Sequence, residues 1–328
     1  MLYIVTATLN GLRRTQRLIA SLAQVQSVPV RIIVVDNGST DGTVEWLMGL
    51  TAKTQDGQDV PLVPRILQVI ANAGNLGASA AWNQGIRMAL ANGATAILVC
   101  GNDTVPQPGA VERLYARIQS GMAFVTGTPI PYDAPDSATM QIETTDPLIE
   151  APDFSFFMLS PRAVDVIGKW DAGIEIEQQC RAKAEGAPSP NPLMNPWEWG
   201  LFDSRYYPAY FEDGDYHIRA KYAGLPCLRD PLALFRHDTS ATIRENPELA
   251  KLNHETTFRR NAELFKAKWG GLPHELKIQQ SRPLNVTDEQ WLAMCGGVEP
   301  VAISHEAAVK AANQTYARYG IEPVEATA

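Results

Sequence analysis

The feature that most constrains this chain is residues 31–43, RIIVVDNGSTDGT, a β-rich apolar run that passes without a break into a polar, glycine-bearing loop. A helix over 44–50 follows. Strand, glycine loop and helix in that order form the βα unit of an open parallel sheet. In such sheets ligands collect beyond the carboxyl ends of the strands, and Asp36 stands at that edge. The same alternation recurs on both sides. Residues 2–6 read as a buried strand opening onto polar Thr8 and Asn10, followed by a helix over 14–24 with Leu18, Leu22 and Val25 on one face.

After a polar loop at 51–61, residues 65–70 read as a third strand. Asn72-Ala-Gly-Asn-Leu-Gly then opens a helix that runs to about residue 91. Glycines at a helix entrance let backbone amides approach a phosphate or sugar, and they also serve plain tight turns. Residues 96–100, AILVC, are a fourth strand ending in Gly101-Asn102-Asp103-Thr104; a helix over 109–120 and a strand over 122–126 follow. Right-handed crossovers bring the strand ends carrying Asp36 and Asp103 to one rim.

The second half is less regular. Residues 129–152 read as loop, 154–159 (FSFFML) as a strand, 161–167 as a short helix, and 175–208 as a long loop with two tryptophans, Trp197 and Trp199. Those indoles fit either an acceptor ring or an anchored loop. Residues 210–219, YFEDGDYHIR, place Glu212, Asp213 and Asp215 close together ahead of a helix. At helical spacing Glu212 and Asp215 share a face and Asp213 points away. Three ionised acids this close repel, so the cluster suits handling a cation or a proton; the plainer reading is a solvated helix N-terminus. A strand at 225–228, a loop bearing His237, a helix from Asn246-Pro247 to about 269, and helices over 288–294 and 306–318 complete the reading.

With 328 residues, the chain has room for two domains or one large domain with an extension. A net charge of −8 gives no general footprint for nucleic acid. Four scattered cysteines (Cys100, Cys180, Cys227, Cys295) form no CxxC pair and fit reduced thiols. No run of about 20 apolar residues is present and the first residues lack a signal-peptide pattern, so a cytoplasmic location without a membrane span is expected.

Five motifs in order resemble one family. They are Thr8-Leu9-Asn10, residues 34–43 (VVDNGSTDGT), residues 72–86 (NAGNLGASAAWNQGI), Gly101-Asn102-Asp103 in the place of a DxD motif, and residues 211–219 (FEDGDYHIR). With the tail RNAELFKAKWGG at 260–271, residues 1–270 are similar to the family 2, GT-A type, inverting glycosyltransferases, in a bacterial or phage-like form. The resemblance implies a Rossmann-like GT-A fold, mostly parallel and flanked by helices, over residues 1–245. Its nucleotide-sugar half would be about 1–128 and its acceptor half about 129–245. A helical extension over 246–328 would cover the sheet, bind acceptor or mediate self-association.

The resemblance also implies roles. Asp36 would meet the base or ribose of a nucleoside-diphosphate sugar, UDP-linked first, with Thr8, Asn10, Asn37 and Ser39 around it. Asn72, Gly74, Asn75 and Gly77 would border the nucleotide and sugar, with Asn102 beside them. Asp103, with His237, would hold Mn²⁺ or Mg²⁺. Asp213 would be the catalytic base, and Glu212 and Asp215 would orient the loop, the acceptor or Arg219. Gly101 stands where the family's DxD has an aspartate, so the metal would lean more on His237 and the phosphates. A saccharide acceptor is expected first and a hydroxymethylated DNA base second. A nucleotidyltransferase is the runner-up enzyme class, and Asn10-Gly11-Leu12-Arg13-Arg14 imitates its signature poorly. The non-enzyme alternative is an inactive sugar-nucleotide binder, against which Asp36, Asp103 and Asp213 argue.

Overall fold

The computed structural model describes the chain except residues 54–58, 62–65, 134–143, 188–192, 240, 247–253, 277, 279–281, 284–285, 305, 308, 311–312 and 314–328. Its strands are β1 (Leu2–Thr8), β2 (Val30–Asp36), β3 (Thr51–Lys53), β4 (Asp59–Pro61), β5 (Ile66–Ala71), β6 (Ala96–Gly101), β7 (Thr104–Pro106), β8 (Phe124–Ile130), β9 (Phe156–Leu159) and β10 (Leu228–His237). Eight of them form one sheet in the order β5-β2-β1-β6-β9-β8-β10-β7. The first four are mutually parallel; β9 runs antiparallel between β6 and β8, β10 is parallel to β8, and β7 closes the edge antiparallel to β10. β3 and β4 make a separate antiparallel ribbon where a plain loop was expected.

The helices are α1 (Leu12–Leu22), α2 (Thr43–Gly49), α3 (Ala78–Ala91), α4 (Ala110–Gln119), α5 (Pro161–Ala184), α6 (Glu212–Tyr222), α7 (Ala241–Glu245), α8 (His254–Trp269) and α9 (Asp288–Met294). The parallel strands are apolar on both faces because both faces are covered. Alternate residues divide between two cores. Ile4, Ile32, Val34 and Leu98 meet Leu18 and Leu22 of α1, Leu47 of α2 and Leu114 of α4. Val5, Ile33, Val35 and Val99 meet Ile86 of α3, Ile167 of α5 and Tyr216 of α6. The architecture is α/β and of the GT-A type.

A third core ties the end of the chain to α6. Phe258, Ala262 and Phe265 of α8 pack with Tyr206, Phe211 and Ile218. Trp291 of α9 is buried in the first core, and Val301 donates a backbone hydrogen bond to Leu148. The helix expected to start at Asn246-Pro247 is described from His254 onward, and of that expected over 306–318 the described residues 306, 307, 309, 310 and 313 are helical. Among the described residues no helix is long and apolar enough to cross a membrane.

Two elements differ from expectation for clear reasons. α5 was read as ending near residue 167 but runs for 24 residues. Its buried face is Ala163, Ile167, Asp171 and Glu175, regular in spacing but half acidic, so it lacks an apolar stripe. β10 was read as a short strand and then a loop, yet it continues through Pro231 to His237. Pro231 falls where the register with β8 shifts, the place where a strand tolerates a missing N–H. His237 is therefore on a strand, not a loop.

Because Phe265 is fully buried against Tyr206 and Phe211, Phe265→Ala is expected to lower unfolding stability by about 3–5 kcal/mol. Urea denaturation of the full chain measures this, and a loss below about 1 kcal/mol would mean that α8 is not part of the cooperative fold.

Candidate active site

The site grows from the carboxyl ends of three adjacent strands. Thr8 of β1 is in register with Asp36 of β2, and Ala7 with Gly101 of β6. Asp36 is fully buried; its Oδ1 accepts from the backbone N–H of Gly38 at 3.0 Å and Ser39 at 2.8 Å. Its Oδ2 has no hydrogen-bond partner among the described residues. A neighbouring loop is stitched on by Asn10, whose N–H donates to Ser39 Oγ at 2.9 Å and whose Oδ1 accepts from Thr40 N–H at 2.7 Å.

Three asparagines hold the next loop. Asn37 Nδ2 donates to Gly77 O at 3.1 Å and to Asn75 Oδ1 at 3.3 Å, and Asn72 Nδ2 donates to Asn37 Oδ1 at 3.0 Å. Gly74 passes so close to Gly38 that a Cβ on Gly38 would lie 2.8 Å from the Gly74 Cα. Asn102 is buried, and its Nδ2 donates to Thr8 Oγ1 at 3.1 Å, which locks the end of β6 to β1.

Asp103 and His237 are brought together by strand pairing. His237 of β10 is in register with Thr104 of β7, the residue after Asp103, and Asp238 N–H donates to Asp103 O at 3.0 Å. His237 Nε2 lies 3.7 Å from Asp103 Oδ2. Burial works against a charged imidazole here, but Asp103, then Asp153 and Asp238, raise the His237 pKa above its ordinary value. Glycine at 101 has a local cause: a Cβ there would meet Asp103 Oδ1 at 2.5 Å. The carboxylate folds back over the space a side chain at 101 would need. Among the described residues no group of three His, Cys, Asp or Glu side chains converges as a metal cage.

The acid cluster sits at the N-terminus of α6. Two non-glycine residues with left-handed backbone, Tyr210 (φ 79°) and Phe211 (φ 73°), turn the chain into the helix. Such conformations cost about 1–3 kcal/mol each and are concentrated at working sites. Glu212 is buried, and burial with the Asp213 charge beside it lifts its pKa well above the carboxylate range. Asp213 is exposed, as helical spacing predicts, and its Oδ1 accepts from Gly214 N–H at 2.7 Å. Protein packed around it and the charge of Asp153 raise its pKa.

Asp215 was expected to orient the loop, the acceptor or Arg219; the structure buries it completely, out of reach of an acceptor, and pairs it with Arg219. Its carboxylate is held by Lys268 Nζ at 2.5 Å, Trp269 Nε1 at 2.9 Å and Arg219 Nε at 2.8 Å. Arg219 continues to Asp171 Oδ2 at 2.9 Å, and Lys268 to Asp203 Oδ2 at 2.9 Å. Lys268 first and Arg219 next outweigh burial and hold the Asp215 pKa down at about 2.

A cavity of about 630 Å³ joins these parts. Thr8, Asn37, Asn75, Asn102, Asp103, Glu212, Asp213 and His237 line it. Asn10, Asp36, Ser39, Asn72, Gly74 and Gly77 hold the loops behind that wall. Trp197 and Trp199 are not in the lining: Trp197 is 82% exposed on the outer surface, and its carbonyl accepts from Arg87. Their helical turn is spent on anchoring a loop. Two lining residues escaped the sequence reading, Asp153 and His217. Asp153 precedes β9, and because β9 is antiparallel its entry lies at the same edge as the ends of its neighbours. Only knowledge of that reversal would have flagged it.

An open, mostly parallel sheet with buried Asp36 and paired Asp103 and His237 at its carboxyl rim is the architecture of a nucleotide-sugar glycosyltransferase. The family model for glycosyl transferase family 2 matches residues 3–167, half of the chain, and the protein belongs to that family. No curated protein matches the sequence. Among solved structures, S. aureus TarS 1–349 in complex with UDP is 11% identical, with 81% of this chain and 70% of that chain covered and a TM-score of 0.45. Glucosyl-3-phosphoglycerate synthase from Mycobacterium tuberculosis is 14% identical over 83% and 81% of the two chains, with a TM-score of 0.46. The mannosyltransferase PcManGT from Pyrobaculum calidifontis is 12% identical over 97% and 87%, with a TM-score of 0.43.

The depressed pKa of Asp215 has a stability consequence. A folded-state pKa below the unfolded value of about 4 contributes stability that is complete above about pH 4 and is lost as pH falls through about 2, on the order of 2 kcal/mol. Urea midpoints at pH 5, 3 and 2 are expected to fall over that window, and Lys268→Met is expected to move the fall to higher pH. An unchanged acid limb in that variant would break the assignment.

Proposed function

We propose that this protein is an inverting transferase that moves a sugar from a nucleoside-diphosphate sugar to a saccharide hydroxyl, with Asp213 as general base. The supporting observation is that Asp213 is the one carboxylate of its cluster free to meet a substrate in the cavity. Glu212 is buried, which raises its pKa, and Asp215 is committed to Lys268, Arg219 and Trp269. In the reaction the acceptor oxygen bonds to the anomeric carbon as its proton passes to Asp213. The bond from that carbon to the diphosphate oxygen breaks, and the electron pair leaves with the diphosphate. No covalent intermediate with the protein is required.

Donor binding falls to residues 1–128 in this reading. Asp36, buried behind the wall, shapes the base and ribose pocket by holding the Gly38–Ser39 turn, and Thr8, Asn37 and Asn75 border the nucleotide. Residues 129–245 supply the acceptor side, and the helices beyond 246 brace it. The donor set fits a hard divalent cation, Mn²⁺ or Mg²⁺: Asp103 offers a carboxylate, His237 an imidazole 3.7 Å away, and phosphate oxygens would complete the shell. Such a cation neutralises charge on the departing diphosphate. The close fit of Asp103 over Gly101 suggests that a single well-placed carboxylate serves where the family motif has two.

Thermal stability against UDP, dTDP, GDP and CMP, each with and without Mn²⁺, tests the donor half. A nucleotide at about 100 times its Kd adds about 2.7 kcal/mol. Stabilisation by one nucleotide only when Mn²⁺ is present is expected, with UDP the first candidate; no response to any of them sinks the reading. Asp213→Asn is expected to lower kcat about 10²–10⁴-fold with nucleotide binding retained. Turnover that survives this change unaltered would remove Asp213 from the role of base.

A further inference from the structure

The cavity lining combines two chemistries. At the strand-end side it is lined by Thr8, Asn37, Asn75 and Asn102. The lining also holds aromatic rings, Phe154, Tyr210 and Phe258, with Asp153 and His217. Tyr210 and Phe258 are edge to face, with ring centroids 5.3 Å apart.

His217 lies one helical turn after Asp213, so both reach the cavity from one face of α6. It is 4% exposed, its ring is 6.3 Å from that of Phe154, and its Nε2 has no hydrogen-bond partner among the described residues. Burial, with Lys221 adding to it, lowers its pKa to about 3, so the imidazole is neutral and offers one donor and one acceptor. A buried polar nitrogen left unpaired is costly, and a ligand in the cavity would satisfy it. Asp153 accepts from Ser155 N–H through Oδ1 at 2.8 Å, and its charge is felt at both Asp213 and His237.

The charge balance narrows the ligand further. Asp103, Asp153 and Asp213 all line the cavity, and no Lys or Arg is among its described lining residues. The nearest cations to this end, Arg229 towards Asp153 and Lys221 towards His217, do not line it. The divalent cation proposed at Asp103 and His237 would be taken up by the donor diphosphate, so a phosphate or carboxylate on the acceptor would meet Asp153 and Asp213 with no lining Lys or Arg to offset them. Hydroxyl groups suit carboxylate and imidazole acceptors, and the C–H face of a sugar ring suits aromatic rings.

We propose that the acceptor is an uncharged sugar, bound with hydroxyls on His217 and Asp153 and its apolar face on the wall of Phe154, Tyr210 and Phe258. The proposal rests on the glycosyltransferase reading above and adds the class of its acceptor. Asp153 and His217 are binding residues here, and Asp213 alone takes the proton.

The test uses the full-length enzyme with Mn²⁺ and the sugar forms of whichever nucleotide stabilises it. Release of nucleoside diphosphate is followed with matched probes: aryl glycosides of glucose, galactose, mannose and N-acetylglucosamine, their 6-phosphates, the corresponding uronic acids, and a hydroxymethylcytosine duplex. At least one neutral glycoside is expected to accelerate release, and its charged partners are expected to be at least about tenfold poorer in kcat/KM. His217→Phe should raise the acceptor KM about tenfold or more with a smaller change in kcat, and His217→Gln, which keeps a donor and an acceptor, should restore most of it. Asp153→Asn should narrow the gap between neutral and anionic probes. Anionic probes or the duplex working as well as the neutral series would overturn the proposal. So would an acceptor KM unmoved in both His217→Phe and Asp153→Asn, or donor turnover that no neutral glycoside accelerates. Failure to bind any nucleotide with Mn²⁺ would strike the glycosyltransferase reading instead, so the two failures are separable.

Discussion

The fully buried carboxylate of Asp215 is the interaction on which the catalytic end of this molecule depends. It receives Lys268 and Trp269 from α8 and Arg219 from α6, and Arg219 reaches on to Asp171 of α5 and the carbonyl of Leu201. Desolvating so many charges is expensive, and mutual pairing only offsets the expense. Removing one member leaves the others buried and uncompensated, which typically costs about 3–5 kcal/mol. The network therefore tolerates one arrangement of three helices. The first turn of α6, with Asp213 two residues before Asp215, is placed by that arrangement. Asp213 is thus placed through its neighbour Asp215, which is held both by Arg219 one turn on and by Lys268 and Trp269 of a distant helix.

The sheet supplies the opposite wall by a different means. Thr8, Asp36 and Gly101 end neighbouring parallel strands, so register alone puts them side by side. β7 and β10 then carry Asp103 and His237 into the same edge by antiparallel pairing. One wall is set by backbone hydrogen bonds, the other by buried ion pairs, and the cavity is the gap between them.

This division explains how much was legible in the sequence. The βα units announced themselves through apolar runs that end in polar, glycine-bearing loops, so the strand-end residues and the fold class could be read directly. The order of the acids in residues 212–215 also predicted that Asp213 would point away from its neighbours, as it does. What escaped reading was long-range. No local signal says that Asp215 will find Lys268, and without that partner an exposed acid is the natural expectation. α5 hid its length because two of its four buried positions are acidic. Asp153 hid because β9 runs against its neighbours, and the two readings of Trp197 stayed open because an aromatic residue in a loop carries no information about which way the loop faces.

The electrostatics of the two walls also make sense together. Five acids stand near the cavity, Asp36, Asp103, Asp153, Glu212 and Asp213, and a site for a nucleoside diphosphate cannot leave all of them as free negative charge. The fold disposes of them individually. Two backbone amides cap Asp36, burial raises the Glu212 pKa, and His237 faces Asp103. Asp213 and Asp153 remain, each with one oxygen engaged by a backbone N–H of its own turn. Asp153 stands at the entry of β9, on the strand-end edge, and Asp213 in the first turn of α6, and the charge of Asp153 is felt at both Asp213 and His237. The two acids left without such a mask therefore face each other across the site, one from the sheet edge and one from α6.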